Sequence, residues 1–358
     1  MGLPARFIVS TGRSGSTLLS RMVAENRKIL VLSEFLASVD NGTRFRRDAV
    51  DGTGFLETLS ADDDLSALIA LHGRQSEEIL NPGGGHTATA TGRAPSLVRV
   101  TLPALTDDPE GLFEEIAGFV RRQPIRAMAD HYTALFEWLC ARLGRECWVE
   151  RSGMSIRIFP ELREAFPDAR FLHLHRDGLE TALSMHAHPW FRVGVWFDRD
   201  PLTRAEALAA IRSAGRDDAD AIARLYSDPP SVAPYGAHWS DYMALAYRDF
   251  AKVPPENYRE LAFEDLTAAA GTSLAMLAEF FELPDDPGWI DRAARLVNGA
   301  LRVRAPGLPA DEFTALSSAC RAGQILTGRA QAGGLNEVMA ALRSAWLEIG
   351  RRPGTSET

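Results

Sequence analysis

Two short stretches of this 358-residue chain combine residue types at spacings that suit an anionic ligand. The first is Phe7-Ile8-Val9-Ser10-Thr11-Gly12-Arg13-Ser14-Gly15-Ser16-Thr17-Leu18-Leu19. It reads as a buried strand, a turn with two glycines, and hydroxyl residues that open a helix. Such a turn aims successive backbone N–H groups at one anion and adds the positive end of the helix dipole. A phosphate fits. Gly12 and Gly15 permit the unusual φ values and the close approach, Ser14 lies between them, the Ser16 and Thr17 hydroxyls suit phosphate oxygens, and Arg13 supplies a fixed positive charge. The same residues also suit an ordinary strand-turn-helix connection. The pattern G-x-x-x-x-G-K-[ST] is not met, because Ser16 stands where Lys is required, and metal-assisted triphosphate chemistry is therefore disfavoured.

The second stretch, Phe171-Leu172-His173-Leu174-His175-Arg176-Asp177-Gly178-Leu179-Glu180-Thr181-Ala182-Leu183-Ser184, repeats the strand-turn-helix order. Arg176 stands at the carboxyl end of the strand, where open α/β sheets place their ligands, and Ser184 follows about two helical turns later. Both could hold a second phosphate. An ion pair at the surface and a solvated helix residue are the equally simple alternatives. Asp177 and Glu180, three apart, form a capping box for the helix.

The elements that must position these residues alternate short β-rich runs with long helical patterns, the signature of an α/β fold with a parallel sheet flanked by helices on both faces. Strands are expected at Phe7–Val9, Cys147–Val149, Phe171–His175 and Tyr258–Phe263, with helices from Ser16 and over Leu266–Phe281. Order weakens between Asn41 and Asp108, where a Gly-rich stretch at 81–95 suggests a mobile insertion or lid. Residues 285–358 read as helices with Pro/Gly turns, and the whole chain, 1–358, as a single domain. Aromatic residues at Tyr132–Leu143, Pro189-Trp190-Phe191 and Trp196-Phe197 suit either an apolar pocket or the core.

Together these motifs resemble the sulfotransferase family that uses 3′-phosphoadenosine 5′-phosphosulfate, in its bacterial branch with a P-loop-like three-layer fold. In that family a loop like Thr11–Thr17 binds the 5′-phosphosulfate, and an Arg with a Ser eight residues later, here Arg176 and Ser184, binds the 3′-phosphate. A third mark is Ala262-Phe263-Glu264-Asp265-Leu266 ahead of a helix ending Phe280-Phe281-Glu282-Leu283-Pro284. The resemblance implies transfer of a sulfuryl group to a hydroxyl of a small or medium-sized acceptor, with 3′,5′-bisphosphoadenosine as product and no metal. The residues offer Arg13 as the cation for the leaving oxygen and leave the general base open. Branches that resemble this chain place a catalytic Glu in the region of Glu34, in Val31-Leu32-Ser33-Glu34-Phe35, His175 beside Arg176 is the next candidate, and His186 and His188 could face the acceptor. Three departures stand out. Arg13 replaces the Lys of cytosolic members, the C-terminal Arg-Lys-Gly signature is missing unless Arg302 or Arg304 substitutes, and Glu150-Arg151-Ser152-Gly153-Met154-Ser155 lacks the expected catalytic His.

Composition narrows the classes further. Hydrophobic residues make up 46% of the chain, which supports a sizeable core and excludes disorder as the main state. A net charge of -9 argues against a protein that coats nucleic acid. The basic residues are 39, of which only Lys28 and Lys252 are lysines, so an Arg in a site was not necessarily selected over Lys for its chemistry. The three cysteines have no metal-ligand spacing, and His186 with His188 lacks a third zinc ligand nearby in sequence. No apolar run spans a bilayer and the first strand begins almost at once, so the expected location is the cytoplasm. Oligomeric state is open. Two rival classes keep a place: a phosphotransferase or nucleotide-binding protein with a degenerate phosphate loop, for which Asp177 is the best Mg²⁺ ligand, and a non-catalytic binding protein.

Overall fold

The computed structural model describes residues 4–61, 79–80, 94–192, 195, 231–297, 299, 301–334 and 336–341. In chain order the elements are β1 (Arg6–Val9), α1 (Ser16–Ala24), β2 (Ile29–Ser33), α2 (Gly52–Leu59), α3 (Ser96–Val100), α4 (Pro109–Val120), α5 (Met128–Arg142) and β3 (Cys147–Arg151). Next come α6 (Phe159–Ala165), β4 (Arg170–His175), α7 (Gly178–Ala187), α8 (Ala233–Phe250) and β5 (Tyr258–Ala262). The described elements end with α9 (Phe263–Ala268), α10 (Ala270–Phe281), α11 (Trp289–Ala294) and α12 (Ala310–Leu326). Two compact units result: Met1–Asp63 with Glu77–Leu174 and Pro254–Leu301, and Asp64–Ser76 with His175–Val253 and Arg302–Thr358.

The five strands form one sheet in the order β2-β3-β1-β4-β5, with parallel ladders between β2 and β3, β1 and β3, and β1 and β4. The chain leaves β1 toward β2 on one side and later crosses from β3 to β4 on the other. In open α/β sheets such a reversal marks, at the carboxyl ends of the strands, the place where ligands bind.

Alternation of side chains gives the sheet two different faces. Ile8, Val149, Leu172 and Leu174 meet Leu19, Met22 and Val23 of α1 and Leu274, Leu277 and Phe281 of α10 in an aliphatic core. On the opposite face Phe7 packs against Trp148, Phe166 and Phe171, while Phe136 of α5 meets Trp148 and Phe159 of α6 meets Phe171. The sequence expectation of a parallel sheet with helices on both faces holds. Tyr132, Leu135, Phe136 and Leu139 are buried, so Tyr132 and Phe136 of α5 are core, whereas Trp138 is half-buried. The Gly-rich expectation at 81–95 falls almost wholly outside the described residues, as do Trp196 and Phe197, whereas α2 and α3 bring regular structure to the interval where order seemed to weaken.

In the second unit α7, α8 and α12 pack around Trp239, which is fully buried. A Cβ at Gly178 or at Gly323 would come within 2.3 Å of the indole ring, so bare backbone on both sides is what admits it. Ser240 Oγ reinforces the contact by donating to the Ala319 carbonyl at 2.7 Å.

Candidate active site

β1 ends in a turn whose backbone is unusual at three residues: φ is +75° at Gly12, +56° at Arg13 and +88° at Gly15. The left-handed region costs a non-glycine residue about 1–2 kcal/mol, so the conformation at Arg13 has to be imposed by its surroundings. Ser10 does part of this: its N–H donates to Ser155 Oγ at 3.0 Å, its carbonyl accepts from Ile156 N–H at 3.3 Å and its Oγ accepts from Gly12 N–H at 3.3 Å. Phe263 does more, because its ring lies 2.1 Å from where a Cβ of Gly15 would stand. Close packing therefore joins the opening turn to the Ala262–Leu266 segment.

Gly15 is the N-cap of α1, no side chain caps it, and the first turn holds no acidic residue. The Ser14 hydroxyl is buried with no hydrogen-bond partner among the described residues. Leaving a buried hydroxyl unmatched costs about 1–3 kcal/mol, and an anion seated on the turn would remove that cost. Ser16 is buried and Thr17 exposed, which puts the two hydroxyls at different depths.

Beside this turn the ends of β2 and β3 carry a second polar group. Glu34, with φ +58°, forms an ion pair with Arg151, and its Oε2 accepts from Gly153 N–H at 2.7 Å. Arg151, 4% exposed at its side chain, also donates from Nη2 to Ser20 Oγ of α1 at 3.2 Å. Glu150 projects to the aromatic face, in register with Phe7 on β1 and Leu32 on β2, and is fully buried. Burial pushes its carboxyl up to about 7, although Ser152 Oγ and the Leu36 N–H donate to it and Arg151 opposes the rise.

The second unit carries the other motif. Arg176 is half-buried and donates from Nη2 to the Arg302 carbonyl at 3.5 Å, and Ser184 is half-buried on α7. Asp177 caps α7 by accepting the Glu180 N–H at 3.0 Å and also accepts from Gln324 Nε2 at 2.8 Å. Only half of the expected capping box forms. The Glu180 carboxylate instead accepts from the N–H groups of Arg304 and Ala305 at 2.6 and 2.8 Å and pairs with the Arg304 guanidinium. His175 is buried, with Arg329 Nη2 at 3.4 Å from its Nδ1.

Residues 4–229 match the family model described as Sulfotransferase family. This chain belongs to the sulfotransferase family. No curated protein matches it. Among solved structures it is similar to the sulfotransferase domain of the curacin biosynthetic pathway, with 13% identity, 81% of this chain and 77% of that one covered and a TM-score of 0.45. It is also similar to the sulfotransferase domain of the Synechococcus PCC 7002 olefin synthase (15% identity, 95% and 94% covered, TM-score 0.42). A third is a sulfotransferase from Mycobacterium tuberculosis H37Rv (16% identity, 89% and 77% covered, TM-score 0.42).

Within this member of the family the first unit gathers Gly12, Arg13, Ser14, Gly15, Ser16, Thr17 and Glu34 at the carboxyl ends of β1 and β2, and the second unit holds Arg176, Ser184 and His175. Sequence reasoning missed Arg151 as the partner of Glu34, and Glu150 with it. One signal was available: two charged residues closing a run as apolar as Cys147-Trp148-Val149 require burial with partners. Of the two arginines considered for the missing signature, Arg304 is held by Glu180, and Arg302 is exposed with its carbonyl on Arg176.

Proposed function

We propose that this sulfotransferase moves a sulfuryl group from 3′-phosphoadenosine 5′-phosphosulfate to a hydroxyl of a small or medium-sized acceptor. The observation that carries the reading is the opening turn, which pairs left-handed backbone at Gly12, Arg13 and Gly15 with a buried Ser14 hydroxyl that has no partner among the described residues and a helix without a side-chain cap. That combination is a receptor for an anion with no anionic side chain of its own. The donor supplies the sulfuryl group on its 5′-phosphate. The amides of residues 13–17, with the hydroxyls of Ser14, Ser16 and Thr17, hold that phosphate, and Arg176 with Ser184 holds the 3′-phosphate.

The acceptor oxygen forms its bond to sulfur as the bond from sulfur to the bridging phosphate oxygen breaks. Arg13 stabilises the charge that grows on the bridging oxygen, an interaction stronger in the transition state than in the ground state. Glu34 takes the acceptor proton, and its ion pair with Arg151 fixes the carboxylate that receives it. His175, beside Arg329, is the weaker candidate for that role. Fixed cations do the work that a divalent ion does in triphosphate chemistry. Asp177, which would be the metal ligand of a phosphotransferase, is engaged as the cap of α7. The three free, buried cysteines fit a reducing compartment, in keeping with a cytoplasmic enzyme. No helix among the described residues is long and apolar enough to cross a membrane.

The test is calorimetric titration with adenosine 3′,5′-bisphosphate, AMP and ATP, each with and without Mg²⁺. The expected result is metal-independent preference for the bisphosphate. Preference for ATP with Mg²⁺ would transfer the protein to the phosphotransferase reading. Bisphosphate binding without transfer of sulfate to any hydroxyl compound, or to water, would make it a non-catalytic relative.

A further inference from the structure

The two polar groups at the ends of β2 and β3 are built as one unit. Glu34 N–H donates to the Arg151 carbonyl at 2.7 Å, Leu36 N–H to Glu150 Oε1 at 3.1 Å and Ala37 N–H to Ser152 Oγ at 3.0 Å. In the other direction Gly153 N–H and the Arg151 guanidinium reach the Glu34 carboxylate. Ser152 Oγ links the set, because it receives the Ala37 N–H while donating to Glu150 Oε1 at 2.5 Å. Residues 34–37 are thus stitched to residues 150–153, and Glu34 is the one left-handed residue of the set.

Glu150 is an expensive way to hold a loop. It is fully buried, lies between Phe7 and Leu32 in the sheet, and its Oε2 has no partner among the described residues. A buried carboxyl with one unmatched oxygen destabilises a core position that an apolar residue could fill. Strand pairing has no need of it, because the ladders use the backbone. Its raised carboxyl fits a proton on Oε2, with Oε1 kept as the acceptor for Leu36 N–H and Ser152 Oγ.

From this geometry we infer that Glu150, acting with Ser152, is a positioning residue of the transfer reaction: it fixes the loop after β2 so that Glu34 stays left-handed and aimed by Arg151 and Gly153. The inference rests on the assignment of Glu34 as the base. Arg151 and Gly153 hold the Glu34 carboxylate directly, whereas Glu150 and Ser152 hold the amides two and three residues further on. Removing the acceptor leaves those amides unmatched, and the loop relaxes to recover partners.

The experiment compares the wild type with E34Q, E150L, E150Q and S152A. Three quantities are read: affinity for adenosine 3′,5′-bisphosphate, sulfate release from the donor to water, and the crystal structure of each variant. E150L is expected to keep bisphosphate affinity within about threefold, and to slow sulfate release about tenfold or more. Combined with E34Q it should be no slower than E34Q alone. E150Q keeps an oxygen acceptor and should restore most of the rate, which a general loss of packing would not allow. In the crystal structure of E150L, Glu34 should have left Gly153 N–H.

An E150L enzyme with wild-type release and an unmoved Glu34, beside a slow E34Q enzyme, overturns the inference alone. A wild-type rate in E34Q overturns the assignment of Glu34 as base and this inference with it. If E150L does not fold, S152A, which removes only the hydroxyl between Ala37 N–H and Glu150, must show the smaller loss and the same displacement, or the inference fails. Where sulfate release is too slow to measure, the position of Glu34 in the variant structures decides.

Discussion

The chain builds the strand-turn-helix motif twice with an arginine in each turn, and the two motifs prepare the helix N-terminus in contrary ways. α1 starts from left-handed Gly15 with no side-chain cap and no acidic residue in its first turn. α7 starts from Asp177, whose carboxylate caps the Glu180 N–H, and carries Glu180 in its first turn. The positive end of α1 is left available to a guest, while that of α7 is satisfied and neutralised by its own side chains. Two routes to binding an anion follow from one pattern. In the first unit, on the proposed reading, the backbone would do it, through the left-handed turn at Gly12, Arg13 and Gly15. In the second, on the proposed reading, the side chains of Arg176 and Ser184 would do it, because Asp177 already caps the helix end.

The largest effect that tests this contrast is expected from Gly15→Ala. The new Cβ is strained at φ +88° and runs into the Phe263 ring. A loss of about 2–4 kcal/mol in denaturant unfolding is expected, with loss of bisphosphate binding in whatever remains folded. A variant as stable as the wild type would show that the turn does not need glycine.

Arg176→Ala comes next. It should weaken adenosine 3′,5′-bisphosphate by about 10–100-fold in calorimetry and leave AMP nearly untouched, because only the former has the second phosphate. Equal losses for both nucleotides would remove the side-chain route.

Ser14→Ala separates binding from folding. Deleting a buried hydroxyl that has no partner among the described residues should leave stability unchanged or raise it by about 1 kcal/mol, while bisphosphate affinity falls about tenfold. If stability and affinity fell together, the hydroxyl would be a structural group. The smallest effect is expected from Asp177→Ala, which removes the cap of α7 at about 1 kcal/mol of stability and shifts bisphosphate affinity less than threefold. A larger shift would bring the start of α7 into anion binding after all.

Much of the geometry of the opening turn and the sheet was legible beforehand because it is local. Positive φ at Gly12 and Gly15 follows from residue type, and β1, β3 and β4 follow from runs of Phe, Ile, Val and Leu bounded by turn residues. β2 escaped notice as a strand, since Ile29-Leu30-Val31-Leu32-Ser33 is a continuous apolar run whose period identifies neither helix nor strand until β3 pairs with it. The capping box was half right for a related reason: Asp177 acts on its own helix, but Glu180 found better donors in Arg304 and Ala305, 124 and 125 residues away in the chain. Left-handed Arg13 and Glu34 were equally out of reach, as neither residue type prefers that conformation.

By itself, then, the sequence determined the α/β class, the parallel strands and the glycine turn that ends β1, all of which are properties of neighbours along the chain. The partners of buried charge were decided only by the tertiary structure. Arg151 reaches Glu34 across 117 positions, and Glu150 holds the Leu36 amide across 114, because the parallel pairing of β2 with β3 sets their carboxyl ends side by side. Charges that leave water must find partners in space, and spatial neighbours are chosen by sheet order and register rather than by spacing.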